Sequence, residues 1–192
     1  MRARRMQELR REVQVIFQDP YGSLNPRRRV GSIIGDPFAI HGVAADGADR
    51  KRRVQEMMEL VGLNPEHYNR FPAEFSGGQR QRVGIARALA LRPKLVICDE
   101  PASSLDLPVR AQVLNLLADL KQELGLSYLF ISHDLAVVRY MADRVLVMQQ
   151  GKIVEEGDHR EIWSRPRHPY TQSLIDAAPG LAFGEPGAVS VL

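Results

Sequence analysis

The chain has 192 residues, 44% hydrophobic and 26% charged, with a formal charge of +3, which reads as about one soluble globular domain rather than a disordered chain. No apolar stretch approaches the ~20 residues needed to cross a bilayer, nor does the arginine-rich start lead into a signal-peptide core, so any membrane role is expected through a partner. The one cysteine, Cys98, excludes an internal disulfide, points to a reducing compartment and reads as a buried small hydrophobe.

In chain order, Arg2, Arg4, Arg5, Arg10 and Arg11 crowd the first eleven positions, in a helix or linker. With Arg27, Arg28 and Arg29 they are basic enough to meet nucleic acid or anionic headgroups. No aromatics interleave with them, so a solvated helix face and loop is expected. Val13-Gln14-Val15-Ile16-Phe17 is a short β-rich run stopped by Gln18-Asp19-Pro20. A loop rich in glycine, proline and arginine continues to about residue 29. Residues 50–61 carry Val54, Met57, Met58 and Val61 at helical spacing, and Gly62 ends that helix.

Ser76 opens the next predicted helix, with Gln79 completing a capping box, and the helix runs to about Leu91 before Pro93. Leu95-Val96-Ile97-Cys98 has no polar alternation and reads as a strand buried on both faces. Pro108 sits in the first turn of a helix with the apolar stripe Val113, Leu116, Leu117, Leu120 and Leu124, closed by Gly125. Residues 128–131 read as another buried strand and 135–141 as a short helix. Gln149-Gln150-Gly151 joins residues 145–148 to 153–154 as a hairpin. Helical pieces near 159–163 and 170–177 precede a loose tail after Pro179. Alternating strands and helices predict an α/β core with a mainly parallel sheet. The helical stretch from about 30 to 90 is an inserted layer in a domain spanning 1–178.

Three places carry candidate chemistry. The Ser76 helix start leaves backbone N–H groups unpaired and concentrates about half a positive charge, while Gly77 and Gly78 remove side chains at the mouth, so a phosphate can approach. Asp99 and Glu100 stand where a strand breaks into a loop, and ligands gather at such strand ends. Asp99 suits Mg2+, held through water, and Glu100 suits orienting and deprotonating an attacking water. Each also fits a plain role, a capping box for Ser76 and loop acids for the pair. His133, directly after a strand in Ser132-His133-Asp134, fits a γ-phosphate and water contact or a loop histidine. His41, His67, His159 and His168 lack metal-ligand spacing and read as surface residues.

Taken together, Phe75-Ser76-Gly77-Gly78-Gln79-Arg80-Gln81-Arg82 with its extension to Leu89, Asp99-Glu100 and Ser132-His133-Asp134 resemble the signature, acid pair and switch histidine of ATP-binding-cassette (ABC) ATPases. Phe75 replaces the commoner leucine. Ser104-Leu105-Asp106 resembles that family's D-loop on the dimer seam, and a helix-capping role for Asp106 is compatible with it. Gln18 resembles the Q-loop glutamine, which touches Mg2+ and the attacking water. Within the superfamily, residues 17–26 look like the extended Q-loop of oligopeptide and dipeptide importers. Arg167-His168-Pro169-Tyr170-Thr171-Gln172-Ser173-Leu174 looks like the start of their C-terminal extension. The resemblance covers roughly residues 8 to 178.

The resemblance implies an ATP-binding importer subunit for peptides or similar small solutes, a P-loop NTPase-like core, and ATP and Mg2+ as cofactors. It implies Glu100, His133 and Gln18 as catalytic residues, Ser76, Gly77, Gly78, Gln79 and Asp106 against nucleotide, and Asp99 with Gln18 at the metal. Its partners would be a second ABC ATPase subunit and transmembrane permeases, fed by an external solute-binding protein, with no nucleic acid. The chain would be cytoplasmic, peripheral on the inner membrane face. The sequence contains no phosphate loop of the form G-x-x-x-x-G-K-[ST]. The core is therefore expected to be N-terminally incomplete, and the chain alone to bind ATP poorly and hydrolyse it negligibly. The alternative is a catalytically inert partner that complements or regulates a complete ABC ATPase.

Overall fold

A computed structural model describes residues 2–19 and 22–178. Pro20 and Tyr21 of the Q-loop-like stretch, and the tail after Pro179, lie outside the described residues. The chain divides into two compact units, Met1–Ile131 and Ser132–Leu192.

In the first unit the arginine-rich start is a helix, α1 (Arg2–Glu12), with Arg10 and Arg11 in its last turn, where cations complement the helix dipole. It runs straight into β1 (Val13–Ile16). Strands β1, β2 (Leu95–Asp99) and β3 (Ser127–Ile131) form a parallel sheet in that order, with Val13 opposite Leu95 and Leu95 opposite Ser127. Glu12 and Lys94 fix the starts of β1 and β2 through a backbone bond of 2.9 Å and a side-chain bond of 2.7 Å.

The apolar runs promised strands buried on both faces, and the structure corrects this. Val96 and Cys98 are fully buried, but Leu95 and Ile97 on the opposite face are half-buried. Further out, Leu129 and Ile131 of β3 are 44% and 47% exposed. Among the described residues β3 pairs only with β2, which makes it an edge strand of the sheet. Its inner face is held by the Tyr128 hydroxyl, which donates to the Leu117 carbonyl at 3.0 Å. Cys98 is the small hydrophobe expected of it, and burial pushes its thiol up to about 12.

The helical layer contains an element the sequence reading had no separate signal for, α2 (Val30–Ile40), which buries Val30, Ile33, Ile34 and Phe38. Its glycines and internal Pro37 disguise it as loop. They are there because α2 lies close to its neighbours: a Cβ at Gly31 would stand 2.4 Å from the Tyr68 ring. The residue 50–61 helix starts earlier than its apolar spacing indicated, as α3 (Gly47–Leu60), because Asp46 caps it by accepting from Asp49 N–H at 2.8 Å. It ends in a Schellman turn. Leu63 N–H reaches Met58 O at 2.8 Å, Gly62 N–H reaches Glu59 O at 2.9 Å, and Gly62 holds φ +71°.

Two short 3-10 turns (Pro65–Asn69 and Pro72–Glu74) lead into α4 (Gly77–Leu89). α4 is held by its own arginines. Arg80 Nε donates to Pro72 O at 2.7 Å, and Arg82 Nη1 donates to Val61 O at 2.6 Å, placing a cation on the C-terminal end of α3. The second arginine cluster is likewise engaged within the chain. Arg28 pairs with Asp36 at 2.7 Å, and Arg29 donates to Asn69 at 3.1 Å while standing 6.0 Å from the Phe71 ring. The long helix, α5 (Leu107–Leu124), buries Val113, Leu114, Leu117 and Leu120. Leu124 of the expected stripe is 39% exposed, with Leu114 taking the inward place. Gly125 ends α5 at φ +62°.

The second unit begins with α6 (Leu135–Met141), followed by the expected hairpin of β4 (Arg144–Gln149) and β5 (Lys152–Asp158). Gln150 and Gly151 both have positive φ, as a two-residue hairpin turn with the right twist requires. Next come α7 (His159–Ser164) and α8 (Pro169–Asp176). His168 is a structural residue, since its Nδ1 caps α8 by accepting from Tyr170 N–H at 3.1 Å. His67 also has a packing role, edge-on to Phe75 at 5.9 Å.

The link from β5 to α8 rests on Glu155. Its carboxylate accepts from Arg167 N–H at 2.8 Å and His168 N–H at 3.0 Å. Burial favours the protonated acid, but hydrogen bonding outweighs this and lowers its pKa. The two backbone donors are the firm cause, because Thr171 Oγ1 lacks a regular hydrogen bond. A lowered carboxyl pKa stabilises the folded form above the unfolded value of about 4.3, and that contribution is lost as pH falls through the folded pKa. In an NMR pH titration, the Arg167 and His168 amide signals should therefore hold their positions at pH 5 and move only below the usual glutamate range. Glu155→Gln should abolish that step.

Candidate functional site

The residues singled out in the sequence fall into three sets. The first is the mouth of α4. Ser76 Oγ accepts from Gln79 N–H at 3.3 Å, and Gln79 Oε1 accepts from Ser76 N–H at 2.9 Å, so the capping box is complete. The first-turn N–H groups of Gly77 and Gly78 have no acceptor within the helix, and the helix dipole adds to their positive field. The two glycines differ, however. A Cβ on Gly77 would meet Leu105 Cδ2 at an ordinary 3.4 Å, whereas one on Gly78 would stand 2.4 Å from Val109 Cγ1. Gly78 is buried, so its missing side chain admits α5, while that of Gly77 keeps the mouth open. The sequence reading assigned both glycines to the mouth.

The second set gathers at the carboxyl ends of β1 and β2. Gln18 Nε2 donates to Glu100 Oε2 at 2.8 Å across 82 residues of sequence. Asp99 ends β2 half-buried, opposite Ile131. Glu100 turns the chain sharply, with φ +45° and its N–H bonded to Ile131 O at 2.9 Å. A non-glycine residue in the left-handed region costs about 1–2 kcal/mol, a strain that clusters at functional sites. The acids are half-buried rather than exposed loop residues. The following loop is fixed by Arg110, which donates to Ser103 O and Leu105 O at 3.3 and 3.2 Å. Ser104 Oγ reaches back to Gln18 O at 3.3 Å. Asp106 occupies the N-cap of α5 without a side-chain capping bond, so the expected cap is one of position only.

The third set lies in the second unit. Asp134 caps α6 by accepting from Ala136 N–H at 3.0 Å and Val137 N–H at 3.4 Å, while Ser132 Oγ accepts from Asp134 N–H at 3.0 Å. Both neighbours of His133 therefore hold backbone, and the His133 side chain is exposed.

Hydrogen bonds thus bring together Gln18, Glu100 and Ser104, while the polar atoms of Ser76 and Gln79 engage each other. Ser104 stood in the D-loop-like stretch and Arg87 in the signature extension, but the sequence named no partner for either and did not single out Val109. Their partners are distant in sequence.

Comparison with known proteins decides the family. A family model described as ABC transporter matches residues 1–103. The chain belongs to the ABC transporter family. A second model, described as oligopeptide/dipeptide transporter, C-terminal region, matches residues 154–189 of this ABC chain. The dipeptide transport ATP-binding protein DppF of Escherichia coli (strain K12) is 56% identical over 91% of the chain and 52% of its own length. The oligopeptide transport ATP-binding protein OppF of Bacillus subtilis (strain 168) is 53% identical over 92% of the chain and 58% of its own. The chain thus spans little more than half the length of these relatives. Among solved structures, it is similar to cbiO1 from Clostridium perfringens, part of the cbiONQ ABC transporter complex. The TM-score is 0.72 and identity 27%, over 83% of this chain and 62% of that one. It is also similar to the ATP-binding cassette MJ0796, a dimer bound to ADP and phosphate in a post-hydrolysis state. The TM-score is 0.70 and identity 29%, over 82% and 67% of the two chains. The α/β fold is therefore that of an ABC ATPase core. Among the described residues no helix is long and apolar enough to cross a membrane.

Proposed function

We propose that the chain is the ATP-binding subunit of an ABC importer, coupling ATP hydrolysis to uptake of peptides or similar small solutes. The observation that carries this reading is the Gln18–Glu100 hydrogen bond. It joins the two side chains best suited to hold a water against a γ-phosphate, at the strand end that Asp99 closes. In this reading Glu100 is the general base and Gln18 orients the water. His133, in the second unit, keeps the switch-histidine role that the family resemblance implies. Asp99 and Gln18 offer a metal one carboxylate and one amide oxygen, a small set that suits Mg2+, which keeps several waters and takes phosphate oxygens. When bound, Mg2+ would neutralise charge on the transferred phosphoryl group.

The Gly77 and Gly78 N–H groups would receive the phosphates of an ATP held by a second ATPase subunit, with Ser76 and Gln79 keeping the helix start in shape. Asp106 and the 75% exposed Leu107 would lie on the seam between subunits. Transmembrane permeases would anchor the pair at the inner face of the membrane, and an external solute-binding protein would deliver cargo.

The 192-residue polypeptide carries no G-x-x-x-x-G-K-[ST] loop to cradle β- and γ-phosphates. Titration calorimetry of this polypeptide with MgATP should detect no binding in the micromolar range, and its ATPase rate should match buffer. The function itself is tested on a chimera in which the phosphate-loop region of the Escherichia coli relative precedes this chain. Stimulated hydrolysis in the presence of that relative's permeases supports the reading. A folded, MgATP-binding chimera without hydrolysis overturns it.

A further inference from the structure

The loop after β1 departs from Gln18, and two side chains from other elements grip its backbone. Ser104 donates to the carbonyl of Gln18 itself, at 3.3 Å. Arg87, in the last turn of α4, donates from Nη1 to the Ser23 carbonyl at 2.8 Å, across 64 residues of sequence. Ser23 N–H also donates to Asp19 O at 3.1 Å, and the next residue, Leu24, is buried at 2% exposure.

Arg87 is a costly way to satisfy one carbonyl. Its guanidinium is half-buried, and burial lowers its pKa against the opposing pull of Asp36. Asp36 is in turn clasped by Arg28 from the far end of the same loop. A neutral donor would bond the carbonyl without desolvating a charge. The charged side chain also feels the carboxylate of Asp36, while its hydrogen bond ties Ser23 to the helix that begins at Ser76.

We propose that Arg87 is a positioning residue: it holds Ser23, Ser23 N–H holds the Asp19 carbonyl, and the Gln18 amide is thereby kept against Glu100. This role rests on the reading of Gln18 and Glu100 as the hydrolytic pair, but it concerns loop geometry and needs no nucleotide.

The test uses the full 192-residue chain, 15N-labelled, with the Gln18 side-chain amide identified by its loss in Gln18→Ala. Exchange of that amide with water is compared in wild type, Glu100→Ala, Arg87→Met and Arg87→Lys, alongside each thermal midpoint. Glu100→Ala defines the value for the broken bond. Arg87→Met is expected to speed exchange about two- to tenfold, the range one net hydrogen bond allows, with the midpoint of α4 unfolding retained. Arg87→Lys, keeping charge and stem but losing the fork, should fall between it and wild type. A wild-type Gln18 rate in folded Arg87→Met, with only the Ser23 and Leu24 amides exposed, overturns the proposal. If Arg87→Met does not fold, Arg87→Lys decides: an intermediate rate supports the proposal and a wild-type rate overturns it. Because no ATP is present, hydrolysis can fail in the chimera without touching this result.

Discussion

Gly78→Ala should destabilise the chain by about 1–3 kcal/mol, the usual cost of forcing a methyl group into a packed contact. The added Cβ would lie 2.4 Å from Val109 Cγ1, a separation that real Cβ atoms do not show. Alanine is the better helix former by up to about 1 kcal/mol, but that gain is smaller in a first turn and is outweighed by the clash. Valine has one strongly preferred rotamer in a helix, so Val109 cannot simply swing away. Either α4 or α5 must shift. Val109→Ala removes the obstacle, and the double mutant should recover most of the loss, giving a coupling of about 1–3 kcal/mol in urea unfolding.

Gly77→Ala offers the contrast. Its Cβ would meet Leu105 at an ordinary distance, so stability should change by less than about 0.5 kcal/mol. On the proposed function, its methyl would instead hinder a phosphate approaching the start of α4. Equal urea midpoints for wild type and Gly78→Ala would show that the two glycines have no such division of labour.

In the chimera carrying a phosphate loop, Glu100→Gln should lower the ATPase rate about 10²–10⁴-fold, the usual worth of a positioned general base. Glutamine keeps the shape and can accept the Gln18 amide bond through its carbonyl oxygen, so MgATP affinity and the folded structure should persist. The backbone at φ +45° asks no more of glutamine than of glutamate, since neither is β-branched. A rate within threefold of wild type (roughly 0.65 kcal/mol) would remove Glu100 from the catalytic role and leave its strained backbone as a device of the β2 turn alone.

Much of the candidate site was legible because its signals are local. Ser76 and Gln79 are three residues apart, and a capping box depends on little else. Gly62, Gly125 and the Gln150-Gly151 turn are likewise set by backbone sterics within a few residues. The α2 helix was missed for the converse reason. Its glycines and Pro37 carry poor helix propensity, and only packing against Tyr68 and α3 repays them. Leu129 and Ile131 misled because an apolar run shows that burial is available, not that anything covers both faces.

The resemblance to the family, the order of its motifs, the capped start of α4 and the acids at the end of β2 could be read before any fold was known, since each is written in contiguous residues with their own physical logic. Tertiary structure alone decided which residues meet. It brought Gln18 onto Glu100, Arg87 onto the Ser23 carbonyl and Val109 under Gly78, contacts spanning 82, 64 and 31 positions of a folded path. Such pairs leave no trace in local spacing, because hydrogen bonds and steric limits act across ångströms in space, whatever the length of chain between the partners.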